Sequence, residues 1–376
     1  MNTKRTFALL LLLFLPAALS SAQVSPTQID SIFSPLKSTT APGAAVLVIR
    51  NGQTVFRQGY GVTDLRTLHP IDAQTNFRLA SFTKQFTAAC IMLLARDGKL
   101  HYDDHLTDFF PEFPAYGKPI TVRNLLNHTS GLPDYEDILE KQYPNTPDDK
   151  IPQIKDAGVL KLLEQQTTPK FPAGTKWDYS NSGYATLAMI VEKVSGKPFG
   201  QFLHDRIFVP LKMTNTLAYE NGKNEVPHRA YGHTKEKDSW KQTDQSSTSA
   251  VLGDGGIYSS LDDLAKWDRA LRDHTLLSEA EMQPALTPMQ LTTGPAKNND
   301  GANVSYGFGW FLDPYPDSNK KPHKRMWHDG ETIGFRTTIQ RFPKNHLTVI
   351  VLANRADLST IDLALKAADL FLSSAR

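Results

Sequence analysis

The chain has 376 residues, 40% of them hydrophobic and 21% charged, with a formal net charge of +2. That length and apolar content suit two lobes, or one large domain with an insertion, around a sizeable core, and the near balance of charge gives no electrostatic case for nucleic acid or an anionic membrane as partner. The single cysteine, Cys90, excludes an intramolecular disulfide, and its apolar setting in FTAACIMLL marks a buried structural thiol.

The N-terminus reads as an address. Met1 to Arg5 is charged, Phe7 to Leu19 is apolar, and Ser20-Ser21-Ala22 is small. This is the form of a signal peptide over 1–22, too short and wrongly flanked for a stable membrane span. The expectation is cleavage after Ala22 and a periplasmic or secreted mature chain, 23–376, with no integral membrane span. Loss of Lys4 and Arg5 leaves it near zero charge.

Ala44 to Arg50 predicts a buried strand, Asn51-Gly52 a tight turn, and Thr54 to Tyr60 the partner strand. Phe77 to Ala80 leads into an amphipathic helix headed by Ser81, with Phe82, Phe86, Ala89, Cys90, Leu93 and Leu94 at helical spacing and a stop at Gly98. The middle of the chain predicts short helices, among them Gly158 to Gln166, Gly183 to Ser195 and Leu261 to Leu271. Strand character returns at Tyr306 to Leu312, Phe335 to Phe342 and Leu347 to Ala353, with Pro343-Lys344-Asn345 as a hairpin turn. Thr360 to Leu372 closes the chain as a helix. Strands at both ends with helices between predict an α/β (α+β) fold. Its antiparallel sheet would be assembled from both termini (about 30–80 and 300–376), beside a helical lobe (about 81–299).

Three stretches carry chemistry. Ser81-Phe82-Thr83-Lys84 places a hydroxyl and an amine one helical turn apart, and a serine nucleophile needs such a base beside it. Taken alone, a capping serine and a solvated lysine would explain it. The second is Tyr179-Ser180-Asn181, which follows a Pro-Gly turn. In an extended segment Tyr179 and Asn181 point the same way, offering a phenol and an amide to one site. The third is Trp327-His328-Asp329-Gly330-Glu331 at a strand or strand edge. There Gly330 permits close approach of a substrate or backbone, and a following N–H can serve an oxyanion hole.

In this order and spacing the motifs resemble those of the serine β-lactamase-like family, in its class C and D-stereospecific peptidase (S12) branch. Leu125 to Leu132 and Gly255 to Ser259 resemble further family blocks, and the likeness runs from about Ile32 to Leu372. The resemblance implies a DD-peptidase/β-lactamase-like fold and an acyl-enzyme formed on Ser81. Lys84 would accept or relay the proton, and Tyr179 would act as general base in acylation and then protonate the leaving group or activate water. Asn181 would orient lysine and substrate, and the N–H groups of Ser81 and Glu331 would hold the oxyanion. His328 would stand near the substrate carboxylate, where class C enzymes carry lysine; its charge would vary with pH. That departure favours an esterase or D-peptidase over a dedicated β-lactamase. The expected partner is a small-molecule or peptide substrate, with no cofactor and no metal. His101 and His105 have i, i+4 ligand spacing, but the resemblance assigns that segment to a structural turn and His128 to structure. A metal-dependent hydrolase and a non-catalytic or acylation-only penicillin- or peptidoglycan-binding protein are the competing readings. The sequence sets no oligomeric state.

Overall fold

The computed structural model describes residues 24–373, so the expected signal segment lies outside the described residues. A five-stranded antiparallel sheet is built from β1 (Ala44–Arg50), β2 (Gln53–Tyr60), β3 (Met326–Thr332), β4 (Phe335–Phe342) and β5 (Leu347–Ala353). Their order across the sheet is β3-β4-β5-β1-β2. The two ends of the chain meet at the centre, where Val46 pairs with Val351 and Val48 with Val349.

Successive side chains of a strand point to opposite faces. Ala45, Leu47 and Ile49 of β1 enter the large core shared with the helices, while Val46 and Val48 enter a second core. The helices α1 (Pro26–Phe33) and α6 (Thr360–Leu372) contribute to that second core. A strand buried on both faces needs no polar alternation, which is why β1 reads as an unbroken apolar run. Ser25 closes a capping box on α1, and the Ser359 side chain accepts from Asp362 N–H to cap α6.

The helices α2 (Lys84–Arg96), α3 (Asp156–Glu164), α4 (Asn181–Ser195) and α5 (Leu261–Arg272) contribute to the large core. Here the structure corrects two expectations. Ser81 does not head an amphipathic α-helix; it sits in a 3-10 turn, Ala80–Thr83, that feeds α2. Every residue of α2 from Lys84 to Leu94 is buried, because helices and sheet cover it on all sides. Tyr306 to Leu312 is likewise not a strand. Gly309 takes φ +75°, Gly307 N–H bonds to Trp310 O at 2.8 Å, and the segment folds back so that Tyr306 bridges Phe311. Two glycines in four residues break the extended run. Among the described residues no helix is long and apolar enough to cross a membrane.

The sheet and the helical layer are tied by a buried ion pair. Asp268 of α5 accepts from Arg341 Nε of β4 at 2.9 Å and from the Thr348 hydroxyl of β5 at 2.7 Å. Asp268 is 2% exposed and Arg341 8%. Removing one partner strands the other charge in the core. Asp268→Ala is therefore expected to lower unfolding free energy by about 3 kcal/mol or more, read from the urea midpoint; an unchanged midpoint contradicts this.

Candidate active site

The site is assembled where the Ser81 turn is clamped between the sheet edge and the helices. Phe77–Arg78 pairs with Ile257–Ser259, and Leu79 N–H bonds to Ile257 O at 2.8 Å. Ala80 then takes φ +50°, a left-handed conformation that L-residues adopt at a cost of about 1 kcal/mol or more, and it turns the chain so that Ser81 enters the cleft. From the sheet side the Thr337 hydroxyl donates to Leu79 O at 2.7 Å. Gly330 of β3 comes so near that a Cβ there would lie 2.0 Å from Leu79 O. The closeness predicted for this glycine is thus to the turn that carries Ser81.

Lys84 is 0% exposed. Its Nζ donates to Ser81 Oγ at 3.0 Å, Asn181 Oδ1 at 2.8 Å and Asp254 O at 3.0 Å. Burial pulls this ammonium below the ordinary lysine range, while Asp254, Glu136 and Asp329 act against that shift. Two of its three partners can only accept. A neutral amine has two N–H donors and one lone pair, so it keeps both bonds to the carbonyl oxygens and turns the lone pair to Ser81. The Asp254 carbonyl is held in place through its neighbours. Asp156, at the head of α3, accepts from Leu252 N–H at 2.8 Å and Gly253 N–H at 2.9 Å, and the Thr87 hydroxyl donates to Gly253 O at 2.6 Å.

Tyr179 and Asn181 reach the same lysine from the segment that enters α4. Ser180 lies between them as the N-cap, its Oγ accepting from Gly183 N–H at 3.1 Å. The Tyr179 ring centre is 4.9 Å from Lys84 Nζ. Its hydroxyl is buried beside Ser81 and makes no well-formed hydrogen bond among the described residues. Burial raises this phenol well above its usual range, so it stands protonated at neutral pH.

His328 sits on β3, 1% exposed, with its ring centre 6.1 Å from that of Tyr179. Its Nδ1 is 2.6 Å from Asp329 O and its Nε2 is 3.0 Å from the Tyr306 hydroxyl. A carbonyl only accepts, so Nδ1 carries the proton and Nε2 accepts from tyrosine. Burial, with Lys84 nearby, lowers its pKa to about 3. The expected pH-dependent charge is therefore not available near neutrality: His328 is a fixed neutral ring. The Glu331 side chain is 65% exposed, and Glu331 lines the same cleft as Ser81.

Four site residues lacked a sequence signal of their own. Tyr135 donates to Asp254 Oδ2 at 2.8 Å, and Asn181 Nδ2 donates to Glu136 Oε1 at 3.3 Å. Glu136 is on the rim, where desolvation, then Asp254 and Asp134, push its carboxyl up to about 7. Tyr306 is the fourth. Asp254 directly precedes the Gly255 block and Tyr135 closely follows the Leu125 block, so proximity to those blocks was the available clue. His101 and His105 lie in the turn after α2, their backbone N–H groups bonded to the Asp104 and Asp108 carboxylates. Cys90 is buried in α2.

The same residues span the comparisons with known proteins. A family model described as Beta-lactamase matches residues 29–371. Penicillin-binding protein 4* of Bacillus subtilis is 31% identical over 353 residues, covering 91% of this chain and 74% of that protein. A penicillin-binding protein homologue from Pyrococcus abyssi, described as octameric, superposes with TM-score 0.74 at 25% identity, covering 92% of this chain and 76% of that one. D-amino acid amidase from Ochrobactrum anthropi shares the fold with TM-score 0.74 at 24% identity, covering 93% and 97% of the two chains. With one family model spanning both the sheet and the helices that hold Ser81, the chain belongs to the beta-lactamase family of hydrolases.

Proposed function

We propose that this protein is an exported serine hydrolase that works through an acyl-enzyme on Ser81. The observation that carries the reading is the buried Lys84, whose neutral form can direct its lone pair only at Ser81 Oγ. Ser81 Oγ attacks the carbonyl carbon and its proton passes to Lys84 Nζ. The oxyanion is held by the N–H groups of Ser81 and Glu331. Lys84 returns the proton through the Tyr179 hydroxyl to the leaving group as the carbonyl re-forms and the scissile bond breaks. Water then attacks the ester, giving one proton back along the same path, and releases the acid and free Ser81.

In this reading Lys84 is the base of acylation and Tyr179 the proton carrier. A phenol raised by burial is a poor phenolate base but a good donor to a departing amine or alkoxide. The substrate is an ester, an amide or D-peptide, or a β-lactam. A neutral His328 offers no cation to a substrate carboxylate, which favours esters and amides over β-lactams. The name of the Bacillus relative supports a second reading, a penicillin-binding protein that acylates without efficient turnover.

Two experiments test this. Ser81→Ala is expected to abolish labelling by a fluorophosphonate or fluorescent penicillin and to lower kcat by about 10³-fold or more; equal labelling of variant and wild type overturns the nucleophile assignment. A parallel panel of nitrocefin, a short-chain p-nitrophenyl ester, a D-Ala-D-Ala peptide and D-amino acid amides should show ester turnover with little from nitrocefin. Nitrocefin hydrolysis at β-lactamase-like rates contradicts the use made of His328, and labelling without turnover of any member selects the acylation-only reading.

The pH dependence has a definite sign. Lys84 must be neutral to act, and burial lowers its pKa. Acylation is therefore slow at acid pH and rises with pH, with its midpoint below the ordinary lysine value of about 10.4. A stopped-flow acylation profile that falls over that range contradicts the role of Lys84.

A further inference from the structure

His128 is fully buried and takes φ +63°, a left-handed conformation that asparagine and glycine also accept. It grips the segment that carries Tyr179 from both sides. Its carbonyl accepts from Asp178 N–H at 3.0 Å, and its Nδ1 accepts from Ser180 N–H at 3.0 Å. These two bonds hold the residues directly before and after Tyr179. The imidazole itself lies against the phenol, with ring centres 4.3 Å apart at 34°, and it also faces Tyr306 at 4.7 Å and Tyr184 at 5.1 Å.

The tautomer follows from these partners. A backbone N–H only donates, so Nδ1 has no proton and the ring hydrogen is on Nε2. That Nε2 is buried without a hydrogen-bond partner among the described residues. Leaving a buried donor unpaired is unfavourable, and a purely apolar ring would avoid that cost while filling the same space. The acceptor at Nδ1 is what an apolar ring cannot supply.

We infer that His128 is a positioning residue for catalysis: as a neutral acceptor at a left-handed backbone position, it fixes the 178–181 segment so that the Tyr179 hydroxyl stays beside Ser81. This rests on the acyl-enzyme reading given above. His128 exchanges no proton with substrate. It acts through Tyr179, by holding Asp178 and Ser180 on either side of it.

The test separates the acceptor from the ring. His128→Gly and His128→Asn both tolerate the backbone and both lose the ring, but only asparagine presents an oxygen close to the position of Nδ1. On a p-nitrophenyl ester, His128→Gly is expected to lower kcat by about 10²-fold with KM changed by less than about threefold, as a misplaced catalytic group does. His128→Asn should recover about tenfold of that loss. In a Tyr179→Phe background the same Gly substitution should cost less than about threefold, because no hydroxyl remains to misplace. Equal losses in the Gly and Asn variants, or a full loss from Gly in the Tyr179→Phe background, overturn the inference. If the Gly variant does not fold, the Asn variant decides: a kcat within about tenfold of wild type supports the role, and a larger loss overturns it. Ser81→Ala, assayed alongside, reports separately on the acyl-enzyme reading, which fails if that variant retains the wild-type rate.

Discussion

The structure of the site depends on one buried amine. Lys84 is placed at the junction of a 3-10 turn and a helix that is covered on every side, where water cannot solvate its charge. In the interior a charged group is tolerated only with partners for its hydrogens. Here those partners are a serine hydroxyl, an amide oxygen and a main-chain carbonyl. Desolvation weakens the charged form, and the two obligate acceptors decide where the lone pair points once the proton leaves. The same burial that makes the lysine costly to fold lowers its pKa.

Much of the surrounding fold serves to hold those partners. The sheet edge locks the Ser81 turn through Thr337 and through the absence of a side chain at Gly330. Asp156 fixes the turn that offers the Asp254 carbonyl, and Ser180 starts the helix that presents Asn181. Asp268 ties the layer of α5 to strands β4 and β5. Strands from both ends of the chain therefore have to pair before the site exists. Function here is a property of the closed fold and not of any one segment.

The sequence made the strongly periodic parts legible. The strands β1, β4 and β5 and the helix α6 follow from apolar runs and turn residues, and their bounds agree with the structure to within a residue. Ser81, Lys84, Tyr179 and Asn181 were legible because they form short motifs, and the structure brings all four together. Periodicity could not show that α2 is buried all round, since a helix with its polar groups satisfied inside reads as half-exposed. It also missed the reversal at Gly307 and Gly309, where two glycines sit within aromatic residues that otherwise suggest a strand. Tyr306, Tyr135, Glu136 and Asp254 were not legible because they join the site only through long-range hydrogen bonds. The structure places His328 near Tyr179, but its charge state was not legible, because that is set by a buried tyrosine hydroxyl and a carbonyl rather than by residue type.

The central claim is that burial lowers the pKa of Lys84 and that its hydrogen bonds aim the neutral amine at Ser81. The direct measurement is an NMR titration of the protein with 13C-labelled lysine side chains, assigning the Lys84 resonance by its loss in Lys84→Met. The account predicts a midpoint clearly below the ordinary lysine value of about 10.4. A Lys84 midpoint at or above that value would contradict the account.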